Sequence, residues 1–171
     1  MLVKWIQCTV PEQHVQNFSQ GQEHWSALRE LPGFLGQIGG WSKAQDGTAH
    51  VFAFWEDQES YDLFMTRAHD DIFSKSKQQV TYSKITIAFG NAETNLDSLS
   101  KEIRDAEFIA LKKIASLDQS VILKLQAGSA DVSNYKVQFN ELPFEQNEMM
   151  IAVEESWKVI PKVSGVDEGI C

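Results

Sequence analysis

The segment Thr48 to Trp55 limits what this chain can fold into more than any other. It follows Asp46-Gly47, which supplies the positive φ of a tight hairpin. It alternates His50, Phe52 and Phe54 on one side with Val51, Ala53 and Trp55 on the other, so neither side is properly polar. A strand of this kind needs cover on both faces, because a bare sheet surface carrying such rings is an apolar patch that soluble monomers avoid. The sheet is therefore the middle layer of a larger object.

The flanking periodicities define that sheet. Leu2 to Val10 is short, apolar and partly β-branched, and Thr9 with Glu12 forms a capping-box pattern around Pro11. From Pro11 to Leu31 the apolar residues Val15, Phe18, Trp25 and Leu28 fall on one helical stripe, which Pro32-Gly33 ends. Phe34 to Ser42 is a strand that pairs with Thr48 to Trp55 as a hairpin. A second helix is expected from Asp57, whose carboxylate can cap it, with the stripe Tyr61, Phe64, Met65, Ala68 and Ile72. Gln79 to Phe89 alternates again, with Ile85, Ile87 and Phe89 on one side. The order β-α-β-β-α-β is the ferredoxin-like split βαβ, an α+β sandwich with two helices on one face of an antiparallel sheet.

The helices supply one cover. A homodimer pairing through its sheet faces is the simplest source of the other, and residues 92–171 of the same chain are the alternative. Three parts are expected: the sandwich over residues 1–90, a connecting helix over 91–106, and a β-rich region over 107–171. The helix carries Leu96, Leu99, Ile103 and Ala106 on one side. Beyond it, Glu107 to Ala115, Val121 to Gln126, Tyr135 to Asn140 and Met149 to Ile160 are short β-type runs, read as an antiparallel meander. The small, acidic tail after Pro161 is expected to be loose.

Composition removes several function classes. With 24 acids against 15 bases the net charge is −9, and no Lys/Arg run marks a phosphate-binding face, so nucleic acid is not an expected partner. The βαββαβ order is shared with RNA-recognition modules, yet the basic Gly-Phe-Gly-Phe-type pattern that should precede Phe52 and Phe54 is missing. The start Met1-Leu2-Val3-Lys4-Trp5 meets polar sequence from Glu12, and no apolar run reaches membrane-spanning length, so a cytoplasmic protein with no membrane partner is expected. Cys8 and Cys171 lie at opposite ends and make neither a disulfide framework nor a metal spacing. The glycines Gly33, Gly36, Gly39 and Gly40 lack phosphate-loop spacing. They read instead as a bulge or a close approach, with Gly39-Gly40 re-aiming Trp41. No Gly-x-Ser-x-Gly, Cys–His neighbour or paired-carboxylate motif supports a hydrolase.

Three segments, Gly33 to Trp41, then Phe54-Trp55-Glu56-Asp57 with Ser60-Tyr61, then His69 to Phe73, together resemble an uncharacterised bacterial family of the antibiotic biosynthesis monooxygenase-like superfamily of dimeric α+β barrels. The resemblance covers roughly residues 1–90. It implies a homodimer with facing sheets and a small-molecule pocket between each sheet and its helices. Some members of the superfamily are oxygenases that need no metal or flavin and act on electron-rich polycyclic aromatics; others hold and degrade haem. The haem-degrading pattern, an Asn on the first strand with a Trp and then a His on the second helix, is not matched, because Gln7, Phe64 and Ser74 stand at those places. No cofactor is therefore expected.

His69 is the candidate catalytic residue. It lies four residues after Met65 at the edge of the buried stripe, where imidazole can act as a base near neutral pH. The bland reading is a boundary histidine bonded to a neighbouring group. The four histidines, His14, His24, His50 and His69, make no metal-binding spacing, so no metal site is expected. Trp25, Trp41 and Trp55 with Phe64 are candidate walls for a flat apolar or aromatic ligand, and Gln7 and Tyr82 are candidate polar groups within it. Core aromatics are the dull alternative for all of them. The expected function is a small-molecule enzyme resembling cofactor-independent monooxygenases. A non-enzymatic ligand-binding or stress-related homodimer and a structural module are the alternatives.

Overall fold

In the computed structural model, residues 1–92, 96–114, 122–127, 131–140 and 148–162 are described. The first half runs β1 (Leu2–Thr9), α1 (Val15–Glu23), β2 (Phe34–Ser42), β3 (Thr48–Trp55), α2 (Gln58–Arg67), α3 (His69–Ser76) and β4 (Lys84–Asn91). The second half runs α4 (Leu96–Asp105), β5 (Phe108–Ile114), β6 (Ile122–Ala127), β7 (Asp131–Phe139) and β8 (Glu148–Val153). All neighbouring strands are antiparallel, and they close a barrel in the order β1-β3-β2-β8-β5-β7-β6-β4. Two joints unite the halves: Gly40 to Ser42 of β2 pairs with Ile151 to Val153 of β8, and Phe89 to Asn91 of β4 pairs with Lys124 to Gln126 of β6.

The barrel settles what covers the second apolar face. Val3 and Trp5 of β1, Ile38 of β2, and Phe52 and Phe54 of β3 pack in one cluster with Ile109 and Leu111 of β5, Val137 of β7 and Ile151 of β8. Leu99 and Ile103 of α4 join this cluster. The face expected to meet a second copy is thus filled by the chain's own residues, and Val3, Ile38 and Phe52 have no exposed surface. The physical reason is that β5 to β8 add four more strands, with apolar residues of β5, β7 and β8 turned inward, and these strands close the curled sheet on itself. The other face of β1 to β3 carries the helices: Leu2, Phe34, Ala53 and Trp55 pack against Leu28, Tyr61, Phe64 and Ile72. Fully burying a ring such as Phe64 contributes about 2 kcal/mol.

Several local expectations are revised. Thr9 forms no capping box; the first turn is a 3₁₀ segment, Glu12–His14, capped at Pro11 without a side-chain hydrogen bond. The helix expected to Leu31 continues from α1 as a 3₁₀ stretch, His24–Glu30. Asp57 does cap α2, accepting from the Ser60 amide at 2.8 Å, and that hydrogen bond holds its carboxyl below the usual range. The single second helix is broken at Ala68, whose φ of −132° separates α2 from α3. Gln78–Val80 is a 3₁₀ turn, so the fourth strand starts at Lys84 and not at Gln79.

The bulge in β2 lies between Phe34 and Gly36, where Ile103 of α4 packs against the glycine. Gly39 and Gly40 serve close approach instead: a Cβ on Gly40 would collide with the Ala152 carbonyl, and one on Gly39 with the His50 carbonyl. The expected strand Met149 to Ile160 stops at Val153; Glu155–Trp157 turns as a 3₁₀ segment and Val159 rejoins β2 opposite Gln37. That excursion buries Trp157 completely beside Phe18 and Trp41. The tail beyond Lys162 lies outside the described residues.

Candidate functional site

A cavity of about 320 Å³ lies between the helices and the outer face of the sheet. Strand alternation decides which residues reach it. Lys4, Ile6 and Cys8 of β1, Val51, Ala53 and Trp55 of β3, and Ile85 and Ile87 of β4 form its floor. The helical side contributes Phe18, Gln22, Trp25, Leu28, Phe64, His69, Phe73 and Gln78. Such a volume, mostly apolar with a few convergent polar groups, suits a small ligand. Ile85 and Ile87 are partly exposed, each at 42%, and mark an apolar rim.

The aromatic walls are held by mutual packing and by one amide network. Trp55 stacks on Phe64 with centroids 4.9 Å apart and planes 22° from parallel, while Phe34 and Tyr61 meet it edge-on. The Trp55 indole Nε1–H is buried and has no acceptor among the described residues. Trp25 is fixed by its own N–H, which donates to Gln78 Oε1 at 2.7 Å. The Gln78 amide in turn donates to the Phe18 carbonyl at 3.0 Å and to Gln22 Oε1 at 2.9 Å. Lys77, at φ 53°, turns the chain after α3 so that Gln78 follows directly. His69 opens α3 among rings: it stacks on Phe73 at 5.7 Å, meets Phe64 edge-on at 5.5 Å and lies 5.9 Å from Trp25. Its Nδ1 is 2.9 Å from Asp70 Oδ1, leaving Nε2 as the second ring nitrogen.

Lys4 is the charged group of the cavity. Its side chain is buried, with the ammonium 5.2 Å from the Tyr61 ring centroid, and it makes no hydrogen bond or ion pair among the described residues. Removal from water pulls its pKa from 10.5 down to about 8. No Asp or Glu lines the cavity among the described residues. Burial also pushes the Cys8 thiol up to about 12, which keeps it protonated and unreactive. The Tyr82 phenol is raised chiefly by burial, and so remains a proton donor near neutral pH.

Of the residues singled out from sequence, the fold brings His69, Trp25, Trp55, Phe64 and Tyr82 together around this cavity. It leaves two out. Gln7 pairs with His50 and Thr86 on the barrel side of β1, because its odd position shares a face with Val3 and Trp5. Trp41 is not in the lining; it packs behind it, on Phe18 and Trp157. Lys4, Gln22, Gln37 and Gln78 were not foreseen. Lys4 was legible from parity alone, since it alternates with Leu2, Ile6 and Cys8 on the helix-covered face. Among the described residues there is no cluster of His, Cys, Asp and Glu able to hold a metal, and no helix long and apolar enough to cross a membrane.

Strands and helices together define a closed antiparallel α+β barrel, and solved structures share that fold. A structure described as a "putative monooxygenase from Lactobacillus acidophilus NCFM" superposes with a TM-score of 0.54 at 14% identity, covering 90% of this chain and 76% of that one. A structure described as a "Putative Chlorite dismutase" gives a TM-score of 0.54 at 10% identity, covering 91% of this chain and 96% of that one. At these identities the likeness is one of fold. Residues 2–89 match the family described as "Domain of unknown function (DUF4937)", and the chain belongs to that family. It is 36% identical over 89 residues to "Uncharacterized protein YdbC" of Bacillus subtilis (strain 168), an alignment spanning 51% of this chain and 75% of the relative.

Proposed function

We propose that this chain is a small-molecule enzyme of the cofactor-independent monooxygenase kind, acting on a flat, electron-rich aromatic held between sheet and helices. The observation that carries the reading is the meeting, in one largely apolar cavity, of the stacked Trp55–Phe64 wall with Lys4, His69 and Tyr82. His69 is the base: with Asp70 holding Nδ1–H, Nε2 can accept a proton from an acidic ring position. The electrons for oxygen reduction come from the substrate itself. A ring methylene and one dioxygen give a ring ketone and one water, which balances without a further reductant.

The test is dioxygen uptake by the purified protein with anthrone as substrate, in the presence of a chelator. Uptake matched mole for mole by the ketone, and falling by about 10²-fold or more in His69→Ala, is the expected result. A second reading, ligand binding without turnover, is favoured by the near-complete exposure of the Asp70 side chain, at 98%, which leaves His69 without a buried acid partner. Tight aromatic binding with no oxygen uptake would establish it in place of the first.

A further inference from the structure

We propose that the cavity selects an aromatic oxyanion, a flat ring system bearing a carboxylate or phenolate oxygen, and that Lys4 and the Trp55 indole N–H are its recognition pair. The inference rests on the sheet–helix cavity being the ligand site, and it names the chemistry of what enters. Three observations converge. The cavity wall holds one ammonium and no carboxylate among the described residues. Among the described residues that ammonium has only the face of Tyr61 as a partner, although Lys is rarely buried without a counter-ion. Trp55 lines the same cavity, and among the described residues its buried N–H has no acceptor, whereas buried donors are normally satisfied.

A neutral hydrocarbon would fill the space and leave both donors as they are. An oxyanion supplies the missing charge to Lys4 and the missing acceptor to Trp55, while its ring lies against Phe64 and His69. Charge-assisted hydrogen bonds of this kind are the strong ones, and they strengthen in a low-dielectric site. The lining amides are already engaged: Gln78 and Gln22 bond to one another, to Trp25 and to the Phe18 carbonyl, and Gln37 donates to the Trp157 carbonyl. Of the groups that remain, Lys4 carries the cationic charge that separates an oxyanion from its neutral counterpart, and the Trp55 N–H is the buried donor beside it in the lining.

Calorimetric titration of the full chain with 2-naphthoate and with its neutral counterpart 2-naphthamide tests this. The expected result is at least tenfold tighter binding of naphthoate at pH 7. The preference should vanish in Lys4→Met, survive in Lys4→Arg and shrink in Trp55→Phe. Naphthoate affinity should weaken as pH rises above 8 and Lys4 loses its proton, with naphthamide unaffected over the same range. Equal binding of the two ligands by the unmodified protein, or a preference that persists in Lys4→Met, overturns the oxyanion proposal and leaves the cavity reading standing. Failure of both ligands to bind overturns the cavity reading, and the proposal with it.

Discussion

Replacing Lys4 by Met should make the protein more stable at neutral pH. The Lys4 amine titrates at about 8 in the fold against 10.5 in the unfolded chain. At 1.36 kcal/mol per pH unit, that difference is a cost of roughly 3 kcal/mol carried by the charged form below pH 8. Met matches the length of the stem and needs no hydrogen bond. The variant gives up the cation–π contact with Tyr61, worth about 0.5–1 kcal/mol, so the net gain at pH 7 is about 2 kcal/mol. For a chain of this size the melting temperature should rise by roughly 4–8 °C. The sign with pH follows from proton counting. Between pH 8 and 10.5 the unfolded chain holds a proton on Lys4 that the folded chain has released, so the native protein gains stability as pH rises through that window. Cys8 works in the opposite sense above pH 9, because its folded pKa is raised to about 12. Urea denaturation should therefore be compared between the two proteins from pH 7 to 9, where their difference isolates Lys4. A gap that is widest at pH 7 and narrows as pH passes 8 is expected. A Lys4→Met protein that is no more stable at pH 7, or a gap independent of pH, would refute the reasoning.

Three further outcomes follow from the same geometry. His50 is fully buried, accepts from Trp5 Nε1 at 3.1 Å, and is held by burial at about pH 4 against 6.5 unfolded. Stability should fall by up to about 3 kcal/mol as pH drops from 6.5 to 4, and a flatter acid limb in His50→Gln, read by denaturant titration, checks it. Trp157→Ala empties a fully buried site between Phe18 and Trp41, for an expected loss of about 3–5 kcal/mol; a loss below about 1 kcal/mol would mean that the C-terminal excursion does not anchor the helix layer. Because the barrel face is sealed within the chain, light scattering should give a mass near the monomer's 19.3 kDa, and a dimer stable on dilution would show that another surface associates.

Local signals carried much of the first half. The alternation of β2 and β3, the Asp46-Gly47 turn and the Asp57 cap depend on residues close in sequence, and their bounds were readable to the residue for both strands. The need to cover the His50–Phe52–Phe54 face was equally legible, but the identity of the cover was not. Closure depends on β2 meeting β8 and β4 meeting β6, pairings between segments more than thirty residues apart that no local pattern announces. The break at Ala68 hid because the apolar stripe continues in phase across it. In the site, parity separates Lys4 from Gln7: Gln7 shares the barrel side of β1 with Val3 and Trp5, whereas alternation directs Lys4 to the helices. The Gln78–Gln22 tie spans 56 residues and becomes visible only when α1 and the turn after α3 meet.

The most direct test of the central claim, that the space between sheet and helices is where this protein meets its ligand, is a crystal structure grown with 2-naphthoate. The ring should lie within the cavity against Trp55, Phe64 and His69, with its carboxylate in hydrogen-bond reach of Lys4 Nζ. A ligand bound elsewhere on the molecule, with the cavity unoccupied, would contradict the account.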